Sequence, residues 1–134
     1  MGSPVIGRSE AVTEGVRVTV ESRFLPERSS VMTRQFLFGY TVTIHNETEA
    51  PVKLLTRHWV ITDSAGEVQH VEGVGVVGET PIIGAGGAHT YGSFCPLRTE
   101  FGTMEGSYGM IRPNGETFRA VIAPFRLVVP TAVN

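Results

Sequence analysis

Gly73, Gly75 and Gly78 stand in a G-x-G-x-x-G spacing, inside the stretch RHWVITDSAGEVQHVEGVGVVGETPII that runs from Arg57 to Ile83. In a dinucleotide-binding fold such glycines follow a strand and open a helix whose N-terminus holds the pyrophosphate. Here Pro81, Gly84, Gly86 and Gly87 follow instead. Proline removes a backbone donor, and each interior glycine costs a helix about 1 kcal/mol relative to alanine. The context therefore predicts no helix after Gly78 and no nicotinamide dinucleotide. Two uses remain for the glycines. One is backbone geometry, where positive φ or a close approach leaves no room for a Cβ. The other is a concave run of amide donors holding a phosphate or pyrophosphate, with Arg57 as the sequence-near cation.

Other reactive side chains are sparse. His45, His58, His70, His89 and Cys95 are the soft metal ligands, and no two histidines are closer than twelve positions, a spacing that favours no metal site. The chain has one aspartate, Asp63, and one lysine, Lys53. That excludes calcium loops built on repeated Asp or Asn, and the phosphate loop ending in Lys-Ser or Lys-Thr. Asp63 suits a turn, no Gly-x-Ser-x-Gly elbow is present, and Cys95 before Pro96 reads as a small buried apolar residue. No catalytic residue, cofactor or metal ligand is assigned. Trp59 shares one strand face with Leu55, Arg57 and Ile61, opposite Leu54, His58 and Val60. It reads as a core filler, with an interaction hot spot as its rival. The candidate binding residues are Arg57, His58, Trp59, Gly73, Gly75 and Gly78.

These residues need elements to hold them, and the hydrophobic period is two almost everywhere, the signature of strands. Val16, Val18, Val20 and Phe24 alternate with polar residues in a first strand, and Phe36 to Ile44 makes a second. Pro26 to Arg34 reads as a loop. Val52 to Thr62 is apolar on both faces in places, as for a central strand covered on each side. Asp63-Ser64-Ala65-Gly66 supplies a hairpin turn, Val68 and Val71 begin the returning strand, and Gly73 to Gly87 reads as a structured loop. His89 to Cys95, Thr103 to Arg112 and Phe118 to Val129 complete the set, with an Asn-Gly turn at Asn114-Gly115. The apolar phase slips at Ala123-Pro124, as a bulge would make it do. Roughly seven or more short strands predict an all-β, antiparallel sandwich of immunoglobulin or fibronectin type III kind.

Composition sets the outer bounds. With 134 residues, 41% hydrophobic and 18% charged, the chain reads as one folded domain, residues 1–134 with a core over about 13–130. A net charge of −2 gives no basic surface for nucleic acid. No apolar run is long enough to span a membrane, and the N-terminus lacks an apolar signal region. The single cysteine cannot form an internal disulfide. The expected location is the cytoplasm.

At RHWVITD, GVGVVGETPII and GTMEGSYGM the sequence resembles the ApaG family. The resemblance runs in order from VRVTVESRFLPERSS through FGYTVTIHN to the closing IAPFRL, about residues 13 to 130. It implies a fibronectin type III-like sandwich without an established enzymatic activity. Bacterial members are tied to cobalt and magnesium handling, and similar domains inside larger eukaryotic proteins have an inferred interaction role. The resemblance thus implies a non-catalytic module that binds another protein. A phosphate-containing ligand at the glycine loop and a role in divalent-cation handling are the alternatives. The chain departs from the family pattern at Thr80, at Gly84-Ala85-Gly86-Gly87 and at Phe94.

Overall fold

In the computed structural model, which describes residues 3–130, the strands are β1 (Val5–Thr13), β2 (Val16–Phe24), β3 (Phe36–Asn46), β4 (Val52–Asp63), β5 (Val68–Val74), β6 (Ile82–Ile83), β7 (Ala88–Leu97), β8 (Phe101–Ile111) and β9 (Thr117–Val128). Residues 1, 2 and 131–134, which the expected domain range includes, lie outside the described residues. All pairing is antiparallel. One sheet has the order β1-β2-β3-β7 and the other β5-β4-β8-β9, with the short β6 beside β4. The antiparallel two-sheet sandwich predicted by the period-two pattern is what forms.

The valines of β2 explain why. Val16, Val18 and Val20 are fully buried while Arg17, Thr19 and Glu21 keep partial exposure, so one face of the strand must be covered. Phe38, Val42 and Ile44 of β3 do the same. Across the interior stand Leu54 and Trp59 from β4, Tyr108 and Met110 from β8, and Phe125 and Leu127 from β9.

Three features differ from the sequence reading. A strand, β1, precedes the first one expected. Its residues lack apolar alternation and only Ser9 is buried, so no periodic signal marks it. The Glu14-Gly15 turn, with φ of 48° and 81°, folds it back on β2 as primed hairpin turns do. Secondly, β4 is not covered on both faces. A bulge between Leu54 and Thr56 shifts its register against β8 and flips the phase. Leu54 therefore points into the same interior as Trp59, and Leu55 does not share Trp59's face. Thirdly, the stretch from Gly73 to Gly87 contains the end of β5 and all of β6. The slip at Ala123-Pro124 is the expected bulge, at the register shift between Met104 and Gly106 on the neighbouring strand.

The two long sides of the sandwich differ. On one, β1 and β9 close the gap between the sheets. Ser22 donates its hydroxyl hydrogen to the Arg126 carbonyl at 2.6 Å, and the Val121 amide donates to the Thr13 hydroxyl at 3.0 Å. On the other, the edge strands β5 and β7 do not pair with each other, and each has one neighbouring strand among the described residues.

Candidate functional site

The open side between β5 and β7 holds a cleft of about 240 Å³. Trp59 and Met104 form part of its floor, Arg57 and Tyr40 its deep polar wall, and Ser93 and Phe94 its β7 rim. Ile61, Gln69 and Pro96 line it too, and the same three line a neighbouring hollow of about 480 Å³ that reaches Glu67 and Arg98. The two form one groove running along the strands.

Arg57 is held by its own strand and the next. It pairs with Gly73 on β5 and with Tyr108 on β8. Its guanidinium lies so close over Gly73 that a Cβ there would come within 2.7 Å of Cζ. Nη1 donates to the Val74 carbonyl at 3.0 Å and to the Gly75 carbonyl at 2.9 Å. Among the described residues no protein acceptor meets Nε or Nη2, and no carboxylate pairs with this half-buried cation.

Three phenols surround it. Tyr91 and Tyr108 are joined hydroxyl to hydroxyl, and Tyr40 stands across the β3–β7 pair from Ser93. Burial pushes all three tyrosine hydroxyls above the ordinary range, and the nearby Arg57 charge pulls each part of the way back. They are thus neutral donors at physiological pH. Trp59, only 3% exposed, packs edge-on against Tyr40 at 5.3 Å and Phe125 at 5.9 Å. Next along β7, the His89 Nε2 is buried without a hydrogen-bond partner among the described residues.

The glycines divide their work. Gly75 has φ of 66°, and a Cβ on it would strike the Glu79 carbonyl. Its amide donates to the Leu55 carbonyl at 2.8 Å, while Val76 and Glu79 exchange backbone bonds at 2.8 and 3.0 Å around the Val77-Gly78 turn. No helix follows Gly78; the next element is β6. The amides of Gly75, Val76 and Glu79 are therefore engaged within the protein. Gly78, with φ of 77° and open space around it, sits at the turn tip.

Of the residues singled out from sequence, Arg57 and Trp59 line the cleft; Gly73 lies against the Arg57 guanidinium, and the Gly75 carbonyl accepts from its Nη1. His58 does not join them. It points to the outer face of the sheet, where its Nε2 lies 3.0 Å from Nδ1 of His70 and 3.7 Å from a Glu72 carboxylate oxygen. Among the described residues no three His, Cys, Asp or Glu side chains gather as a metal-holding group. Cys95 is buried, as its sequence context predicts. Burial pushes its thiol up to about 12, so it carries no thiolate at neutral pH. No helix among the described residues is long and apolar enough to cross a membrane.

Sequence reasoning missed Tyr40, Tyr91, Ser93 and Tyr108. The available signal was the inward column of β7, His89, Tyr91, Ser93 and Cys95, which is polar where the matching column of β3 is Phe38, Tyr40, Val42 and Ile44.

Comparison with known proteins places this geometry in a family. The model of the ApaG domain matches residues 26–112. Protein ApaG of Anaeromyxobacter dehalogenans is 51% identical over 126 residues, covering 94% of this chain and 99% of that one. Protein ApaG of Pseudomonas syringae pv. tomato is 50% identical over 119 residues, covering 89% and 94%. A crystal structure of an ApaA protein from Bordetella pertussis superposes with a TM-score of 0.84 at 40% identity, over 95% of this chain and 98% of that one.

Proposed function

The chain belongs to the ApaG domain family, and from that premise we propose that it is a non-catalytic binding module that docks another protein along the open β5–β7 side. One observation carries the reading: the sandwich seals its β1–β9 side with hydrogen bonds but leaves the opposite side as a groove between two edge strands that do not pair with each other. Natural sheets usually blunt such edges, because exposed backbone donors and acceptors recruit other chains. Here the edge region instead presents apolar side chains, with Val74 75% and Phe94 54% exposed. Arginine side chains beside them, here Arg57, are among the types that dominate interface energetics.

A second reading is phosphate or pyrophosphate held at the Gly73–Gly78 loop. It draws its support from the open edge of the Arg57 guanidinium, since the Gly75 amide is bonded to the Leu55 carbonyl and the Val76 amide to the Glu79 carbonyl.

Photo-crosslinking tests the first reading. A photoreactive residue replacing Phe94 should trap one dominant protein in cells, while the same residue replacing Val121 on the sealed side should not. Equal or absent trapping from both positions overturns it.

A further inference from the structure

We propose that the groove between β5 and β7 binds an extended peptide segment through one carboxylate, which pairs with the outer edge of Arg57 while the peptide backbone adds to strand β5. This deepens the docking function proposed above and rests on it.

Charge is the first argument. Among the described residues Arg57 is the one charged residue lining the cleft, while the adjoining hollow carries Asp63, Glu67 and Arg98; the Arg57 Nη1 is already anchored to the Val74 and Gly75 carbonyls. That anchorage holds the guanidinium plane fixed and leaves Nε and Nη2, the two donors of one planar edge, to a ligand. Such an edge matches the two oxygens of a carboxylate. No carboxylate pairs with Arg57 among the described residues, so a group of one negative charge complements it. Phosphate and pyrophosphate carry more charge than a single guanidinium neutralises, and the amides of Gly75, Val76 and Glu79 are engaged within the protein. The hydroxyls of Tyr40, on the same wall, and of Ser93, on the β7 rim, are further donors available to a carboxylate oxygen.

Shape is the second argument. The groove is elongated, because the Arg57 cleft and the hollow reaching Arg98 share Ile61, Gln69 and Pro96. A small organic acid would fill one end only. Strand β5 is seven residues long without proline, and among the described residues β4 is its one strand partner, so its outer edge suits strand addition. The edge of β7 is interrupted by Pro96, which makes β5 the pairing side.

The test is selection from a displayed library of random ten-residue peptides against the full chain, with acetate as competitor in a second arm. The expected result is enrichment of peptides alternating β-branched and polar residues around one Asp or Glu. Replacing that acid by its amide should weaken binding at least tenfold, and millimolar acetate should compete only weakly. Nuclear magnetic resonance shifts should map to β5, Ser93 and Trp59. Arg57→Gln should lose the acidic preference; because it also removes the Val74 and Gly75 anchorage, Ser93→Glu serves as the second variant, placing a carboxylate beside Arg57 that excludes the peptide's own. Neutral peptides that bind in the groove overturn the carboxylate assignment while leaving the docking side standing. Absence of enrichment, an acidic preference retained in either folded variant, or acetate that competes as well as free peptide overturns the proposal. Loss of trapping at Phe94, by contrast, overturns the docking function itself.

Discussion

The guanidinium of Arg57 rests on the backbone of Gly73, with a hypothetical Cβ at Gly73 only 2.7 Å from Cζ and both terminal nitrogens within 2.8 Å. The first glycine of the motif thus makes room for a side chain of this protein's own, and the arginine in turn ties down the carbonyls of Val74 and Gly75. The G-x-G-x-x-G spacing is a device for seating an arginine and turning a strand.

The glycines should accordingly differ in their tolerance. Gly75 combines positive φ with a backbone collision at Glu79, whereas Gly78 has positive φ and open space. Gly75→Ala should cost about 1 to 3 kcal/mol, and Gly78→Ala about 1 kcal/mol from the left-handed backbone alone. Chemical denaturation of the two variants measures the order; equal costs would contradict the geometry.

Val77 is a β-branched residue at φ of 48°, 66% exposed, in the first central position of its turn. Asparagine tolerates that conformation far better, and Asn-Gly is the preferred pair for such a turn. Val77→Asn should therefore raise stability by about 1 kcal/mol. A drop in the unfolding midpoint would show that the valine makes contacts outweighing its strain.

Trp59 fills the space among Tyr40, Tyr108 and Phe125. Trp59→Ala should cost about 3 to 5 kcal/mol, as emptying a large aromatic site does. A loss below about 1 kcal/mol would place the indole outside the core.

Alkaline titration should be abnormal, since the chain has three tyrosines and burial raises all of them above the ordinary value of 10.0. A group whose native pKa lies above its unfolded one lends stability that is complete below the unfolded value. That stability is lost as the pH rises from there towards the native value. Phenolate absorbance should rise at higher pH in the folded protein than in the unfolded chain. An ordinary titration of any one tyrosine while the fold persists would refute the buried cluster.

Local sterics made much of the fold readable in the sequence. Alternation at Val16 to Val20 and at Phe36 to Ile44 dictates extended backbone with one face to bury. Gly66 and Gly115, both at φ of 87°, close the turns that their Asp and Asn neighbours announce. The failure of the glycine string to open a helix followed from Pro81 and the glycines behind it. Only the tertiary structure decided the rest. The bulge at Leu55 reversed the facing of β4, because register depends on the partner strand as well as on the chain's own pattern. Strand β1 formed through pairing with β2, without an apolar stripe of its own. The site was the least legible part. Arg57, Tyr40, Tyr91 and Tyr108 come from four strands, and β7 reaches β3 by a nonconsecutive pairing. Periodicity tells which side of a strand is buried. Which buried polar groups then face one another across the two sheets is set by strand order and packing.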